Sequence, residues 1–248
     1  MSVQTRAALY PDLGFTDNPS ASVISGINID IDTSEVTMWN GDAGRYVFPS
    51  DSGETMQISS TAAGDTTQTI AVVGLLGNSF VETVELVTLN GTTPVQLANQ
   101  YARINDAILF SARGNPLAGR VVITGTGGQV GNQYCTIEIG EGQCFKGIYT
   151  IPAGTRARPE EIFLSINETG LTSATIEYRV YIGGFGLEFV KAIDLTLNSQ
   201  GTNAFDKRFW AIQAFPEKTD IEITAQGSEL DLSGTCYLSF VEWKDRAS

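Results

Sequence analysis

Gly26-Ile27-Asn28-Ile29-Asp30-Ile31-Asp32, followed by Thr33-Ser34-Glu35 and Val36-Thr37-Met38-Trp39, decides the fold class. Isoleucine at every second position places Ile27, Ile29 and Ile31 on one face of an extended strand and Asn28, Asp30 and Asp32 on the other. Thr33-Ser34 can reverse the chain, so residues 26–39 read as a first hairpin. The same period of two runs through the rest of the chain, and no helical stripe longer than about two turns interrupts it. An all-β protein follows.

Outward from that hairpin, Tyr10-Pro11-Asp12-Leu13-Gly14 and Asp17-Asn18-Pro19-Ser20 carry turn chemistry without periodicity, so residues 1 to 25 read as an extended arm. Phe48-Pro49-Ser50-Asp51-Ser52-Gly53 reads as a loop. From Thr66 onward strands recur at sandwich spacing: 67–76, 80–89, 95–98, 102–110, 119–124, 134–139, 145–151, 162–167, 174–182, 187–197, 209–215, 221–225 and 235–243. Gly77-Asn78 and Asn90-Gly91 supply turns, since both residue types tolerate positive φ. So many strands imply two packed sheets. The expected architecture is an antiparallel, jelly-roll-like β-sandwich: residues 1–60 form the N-terminal arm and hairpin, and residues 61–248 form the sandwich body.

Composition removes whole classes of function. The 248 residues hold 15 Lys and Arg against 28 Asp and Glu, a formal charge of −13. Nucleic-acid surfaces need clustered cations to displace counterions, so no nucleic-acid partner is expected. The absence of histidine excludes Ser-His-Asp and Cys-His catalysis and His-ligated zinc. Only 17% of residues are charged, which leaves the exposed faces to Thr, Ser, Asn and Gly and fits a protein that meets neighbours. The opening Met-Ser-Val-Gln-Thr-Arg has no apolar signal core, and no segment approaches a membrane span. Neither export by a standard signal nor membrane anchoring is expected.

Candidate chemistry is sparse. Asp30, Asp32 and Glu35 could converge on calcium, yet Glu35 and Gly41 stand where an EF-hand loop needs glycine and glutamate. A solvated, edge-protecting face is the expectation. Glu82 and Glu85 fall on opposite strand faces, Glu160 and Glu161 are adjacent, and Glu217 and Asp220 flank a turn with Lys218, so none makes an acid/base couple. Gly125-Thr126-Gly127-Gly128 lacks phosphate-loop spacing. The sequons at Asn90 and Asn167 require secretion. Phe209, Trp210, Tyr178, Tyr181 and Trp243 are expected to fill the core, with an exposed sugar-binding platform as the alternative. Cys135, Cys144 and Cys236 read as reduced thiols. Around the turn Gly140-Glu141-Gly142, Cys144 should oppose Glu138 and not Cys135, a poor placement for a disulfide. No catalytic, cofactor or metal residue is assigned.

Three blocks resemble structural proteins of marine and environmental tailed bacteriophages. The first is Gly74-Leu75-Leu76-Gly77-Asn78-Ser79-Phe80-Val81-Glu82-Thr83-Val84-Glu85-Leu86, continuing through 89–95 and 101–104. The others are Tyr149-Thr150-Ile151-Pro152-Ala153-Gly154-Thr155 and Phe215-Pro216-Glu217-Lys218-Thr219-Asp220-Ile221. The resemblance implies a non-enzymatic virion component and transfers no site residue. It implies a capsid decoration or cement protein, or else a tail or neck adaptor anchoring fibres. The expected partners are the major capsid protein or other virion subunits and further copies of the chain, as a trimer or larger. The expected location is the virion, assembled in the host bacterial cytoplasm. The acidic balance fits an exterior position, because a DNA-facing lining gains from positive charge. A carbohydrate-binding module is the alternative from another class.

Overall fold

The computed structural model describes residues 20–41, 44–111, 114–128, 130–167, 174–184, 187–201, 203–208 and 214–244. Within them lie the strands β1 (Ser20–Ile31), β2 (Val36–Thr37), β3 (Glu54–Ser60), β4 (Thr69–Leu76), β5 (Glu82–Thr88), β6 (Val95–Leu109), β7 (Val121–Gly125), β8 (Gln133–Ile137), β9 (Ile148–Thr150), β10 (Thr155–Ile166), β11 (Thr175–Gly184), β12 (Leu187–Asn198), β13 (Ala204–Arg208), β14 (Asp220–Gly227) and β15 (Leu232–Lys244). Every strand pairing is antiparallel, and no helix occurs among the described residues. The all-β sandwich reading holds.

The chain forms two compact units, residues 1–39 with 147–248, and residues 40–146. The boundaries therefore fall at 39/40 and 146/147 and not at 60/61. The reason is pairing: β1 lies against β15 and β2 against β14, while β3 is an interior strand of the other unit's sheet. Of the expected arm, residues 1–19 lie outside the described residues, and residues 20–25 belong to β1.

The first unit packs a sheet of order β1-β15-β10-β13 against one of order β12-β11-β14-β2, with β9 beside β14. Ile162, Leu164, Leu238 and Phe240 from one sheet meet Ile176, Tyr178, Val180, Ile221 and Ile223 from the other. Each fully buried large apolar side chain contributes about 1.5–3 kcal/mol, so this interior dominates the stability of the unit. The expected hairpin at 26–39 does not form. β1 and β2 belong to opposite sheets, and the segment between them is a corner. The alternation also breaks: a register shift between Asn28 and Ile31 leaves Ile29 70% exposed and turns Ile31 into the core. Asn28 is buried instead, and its Nδ2 donates to Thr37 O at 2.9 Å, tying the two ends of the corner together.

The second unit is one sheet of order β5-β4-β6-β3-β7-β8. β6 merges the two expected strands at 95–98 and 102–110. Its first half pairs with β3 and its second half with β4, and register shifts on both partners bend it. Beyond β8 the chain returns to β6, where Cys144 N donates to Ala107 O (2.9 Å) and Leu109 N to Gly142 O (2.8 Å), so the sheet curls back on itself. β3, absent from the sequence reading, alternates cleanly, with Met56 and Ile58 inward and Thr55 and Gln57 only half-buried. β13 was likewise unread, and the expected strand at 209–215 lies largely outside the described residues.

Gly26 carries one of the first unit's closest approaches of backbone to backbone. A Cβ on Gly26 would stand 2.2 Å from Met38 O, 2.6 Å from Gly147 N and 2.9 Å from Cys236 Sγ. Two of these neighbours are backbone and cannot swing aside. Gly26→Ala is expected to lower stability by about 3 kcal/mol, at the upper end of overpacking costs. Gly64→Ala, with nothing within 4 Å of the added carbon, serves as the control and should leave the calorimetric midpoint in place.

Candidate functional site

Even-numbered residues of β5 point outward and odd-numbered ones inward, which exposes Val84 (58%) and Leu86 (57%) on the same face. Register extends that face. Leu86 lies opposite Ala71 and Ala71 opposite Ile108, while Val84 lies opposite Val73. Phe110 follows two residues beyond Ile108 and is 64% exposed. An apolar row thus runs from the edge strand β5 across the buried Ala71 of β4 to Ile108 of β6.

Glu85, on the inward side, pins that edge. Its Oε1 accepts from Ala98 N (2.7 Å), and its Oε2 accepts from Tyr101 Oη (2.8 Å) and Asn99 Nδ2 (3.0 Å). The carboxylate stands in for a strand partner where β6 bends, satisfying an amide that the ladder leaves over. Burial pushes the Tyr101 phenol well above its usual range, and the Glu85 acceptor adds to the effect. Glu82 faces away, so the sequence parity for this pair holds.

The carboxylates weighed for calcium separate. Asp30 and Asp32 gather with Asp231, ligand atoms within 4.8 Å of one another, and Asp231 N donates to Asp32 Oδ1 at 3.2 Å. Glu35 instead accepts from Thr224 Oγ1 (2.6 Å) and pairs with Arg179 (3.2 Å), which also holds Glu177 (2.6 Å). The three aspartates can share a hard cation or simply repel. Exposed acidic groups are common without an ion. Asp231 was invisible to local spacing because it arrives from the turn before β15.

Other candidates resolve into structural roles. Glu217 accepts from Gly154 N and Asp220 from Thr150 Oγ1, while Asp220 pairs with Thr150 and Ile221 with Tyr149 across β14 and β9. The second and third resemblance blocks, remote in sequence, are therefore one substructure, and the first block spans the end of β4, most of β5 and parts of β6. Glu161 reaches Arg208 at 3.7 Å. Thr126 closes against Thr55 through Oγ1 and backbone bonds, anchoring the glycine-rich loop. Asn167 Nδ2 donates to Thr235 Oγ1 (2.8 Å). Tyr178 is fully buried and donates to Ser165 O (2.7 Å), Trp243 is half-buried, and Phe209 and Trp210 lie outside the described residues.

One cluster has no sequence signature. Lys146 is buried in the second unit, donating to Ile104 O and to Tyr134 O (3.3 Å) with its ammonium over the Tyr46 ring. Nearby, burial lifts the Asp106 carboxyl to about 6, against the opposing pull of the Ala107 amide and Lys146. Cys135, Cys144 and Cys236 are all buried free thiols, and burial pushes the Cys135 thiol well above its usual range.

No protein-family model matches the chain, and no curated protein matches it. Among solved structures, the chain is similar to the infectious bursal disease virus VP2 subviral particle at 13% identity, covering 94% of this chain and 78% of that one with a TM-score of 0.23. The structure of the same virus's Gx strain gives 13% identity, 96% and 79% coverage and a TM-score of 0.23. At these scores the likeness carries no argument; the strands themselves define the class of protein, an antiparallel β-sandwich chain with a second, curled sheet.

Asp106 makes a pH prediction. Its folded value, about 6, exceeds the ordinary 3.8, so between these values the folded state holds more proton than the unfolded one. Wild-type stability, relative to Asp106→Asn, is expected to fall as pH climbs through that window and to level off above it, by about 3 kcal/mol in all. Thermal midpoints of both proteins across the window check the sign; a difference that grows in the wild type's favour with rising pH would contradict it.

Proposed function

We propose that this chain is a non-enzymatic structural component of a virus particle, acting by fitting against neighbouring subunits. The single observation that carries the reading is the set of exposed apolar side chains Val84, Leu86, Ile108 and Phe110 toward the β5 edge of the sheet, where no further strand pairs among the described residues. A protein with so few charged residues gains little by leaving such a face in water, and edge strands offer backbone groups to an incoming strand. The first resemblance block contains Val84 and Leu86, so the part of the chain that resembles tailed-phage structural proteins is also the part that carries this face.

Within that class, a capsid decoration or cement protein bridging shell subunits is the preferred reading. Any partner that binds only assembled shell shifts the equilibrium away from disassembly. An adaptor at the tail or neck that anchors fibres is the second reading, favoured by the same open edge. The proposed partners are the major capsid protein or other virion subunits and further copies of the chain, with the virion as its location.

Leu86→Lys places a charge at the edge-strand end of the row without touching the interior. Its thermal midpoint is expected to match wild type, while its incorporation into particles in a complementation assay drops at least tenfold. Undiminished incorporation of a folded Leu86→Lys protein would contradict the assembly reading of this face.

A further inference from the structure

We propose that two copies of this chain pair through their β5 edges, antiparallel about a two-fold axis at Glu85, so that one continuous sheet runs through both second units. This pairing rests on the reading of the β5 face as an assembly surface and names the partner that covers it. β5 meets β4 at seven consecutive positions without a register shift. The bonds at either end fix which backbone groups that ladder uses. Leu76 N donates to Val81 O (3.0 Å) and Leu89 N to Gln68 O (2.9 Å), so odd-numbered residues face β4, and Glu82, Val84, Leu86 and Thr88 turn their N–H and C=O toward the open side. Among the described residues no strand meets them there. Such a row of unpaired donors and acceptors is a template for another strand.

The strand is its own complement, which selects a second copy as the occupant. Pairing about Glu85 sets Val84 opposite Leu86 of the partner subunit and Glu82 opposite Thr88 of the partner subunit, so every outward-turned residue of β5 exchanges backbone bonds. Moving the axis by one residue leaves Glu82 or Thr88 with nothing opposite it in β5. The side chains of these residues share one face, where the exposed Val84 and Leu86 cover each other across the axis and no carboxylate meets a carboxylate. Glu85 itself lies on the inward face, its carboxylate already drawn toward β6 by Ala98 N, Asn99 Nδ2 and Tyr101 Oη. Other edges are guarded. β12 carries two register shifts and the Lys191–Asp194 pair, and β13 is five residues long with Asp206, Lys207 and Arg208. β5 has no lysine, arginine, proline or bulge to turn a strand away.

Sedimentation equilibrium of the full chain reads the association. The wild type is expected at twice the chain mass and the Val84→Lys/Leu86→Lys variant at the chain mass, since the two-fold axis sets lysine against lysine at both positions. Both side chains are more than half exposed, and a circular-dichroism spectrum matching wild type checks that the variant is folded. Val84→Glu/Leu86→Glu is expected to be monomeric as well, and an equal mixture of the two variants to recover the dimer, because lysine then meets glutamate at each position. A monomeric wild type, a Val84→Lys/Leu86→Lys chain that still dimerises, or a mixture that stays monomeric would overturn the pairing. Particle incorporation separates this from the assembly reading. A monomeric wild type that still enters particles overturns the pairing and leaves the face to a shell subunit, whereas a β5-paired dimer that never enters particles supports the pairing and contradicts the virion role.

Discussion

Three remote backbone segments meet at one point, and the first unit depends on their contact. Met38 N donates to Ile223 O (2.9 Å), Gly147 N to Met38 O (2.6 Å), and Ile223 N to Gly147 O (2.7 Å). The triangle joins the residue just after β2, the point where the chain re-enters the unit and the centre of β14. Only residues without side chains fit beneath it: Gly26 lies against Met38 O and Gly147 N, and a Cβ on Gly147 would press on Cys236, Ile223 and Met38 at 3.1 Å. Because Met38 and Gly147 are held together, residues 40–146 leave and return at one place and can form a unit of their own.

Much of this was legible in the alternation of residues. Strand after strand fell where period two placed it, and the turns at Asn78, Gly91, Gly140 and Gly142 adopt the positive φ their residue types allow. What alternation could not reveal was which strands would pair. The Ile27–Ile29–Ile31 run reads as one uninterrupted face, yet the shift after Asn28 reverses its parity, and a corner replaces the hairpin because Val36 and Thr37 find β14 in the opposite sheet. β3 escaped notice since Glu54, Thr55, Gln57, Ser59 and Ser60 dilute its two apolar anchors.

The site residues divide along the same line. Parity was enough to separate Glu82 from Glu85 and predict that they would not act together. Contacts between remote segments were beyond it: Asp231 joining Asp30 and Asp32, and Lys146 reaching β6. Each arises from a bend or a return of the chain, and such features have no short-range periodicity. The bend in β6 illustrates the link to function. It frees the Ala98 amide, Glu85 turns inward to satisfy it, and the same strand's outward residues, Val84 and Leu86, are left to present an apolar face at the sheet edge.

On the proposed reading, the apolar face at the β5 edge of the second unit is where another subunit docks. Quantitative mass spectrometry of gradient-purified particles tests this most directly. A decoration role predicts the chain in mature particles in fixed proportion to the shell subunit. Its absence from purified particles, with all copies recovered in the unassembled fraction of infected cells, would contradict the account.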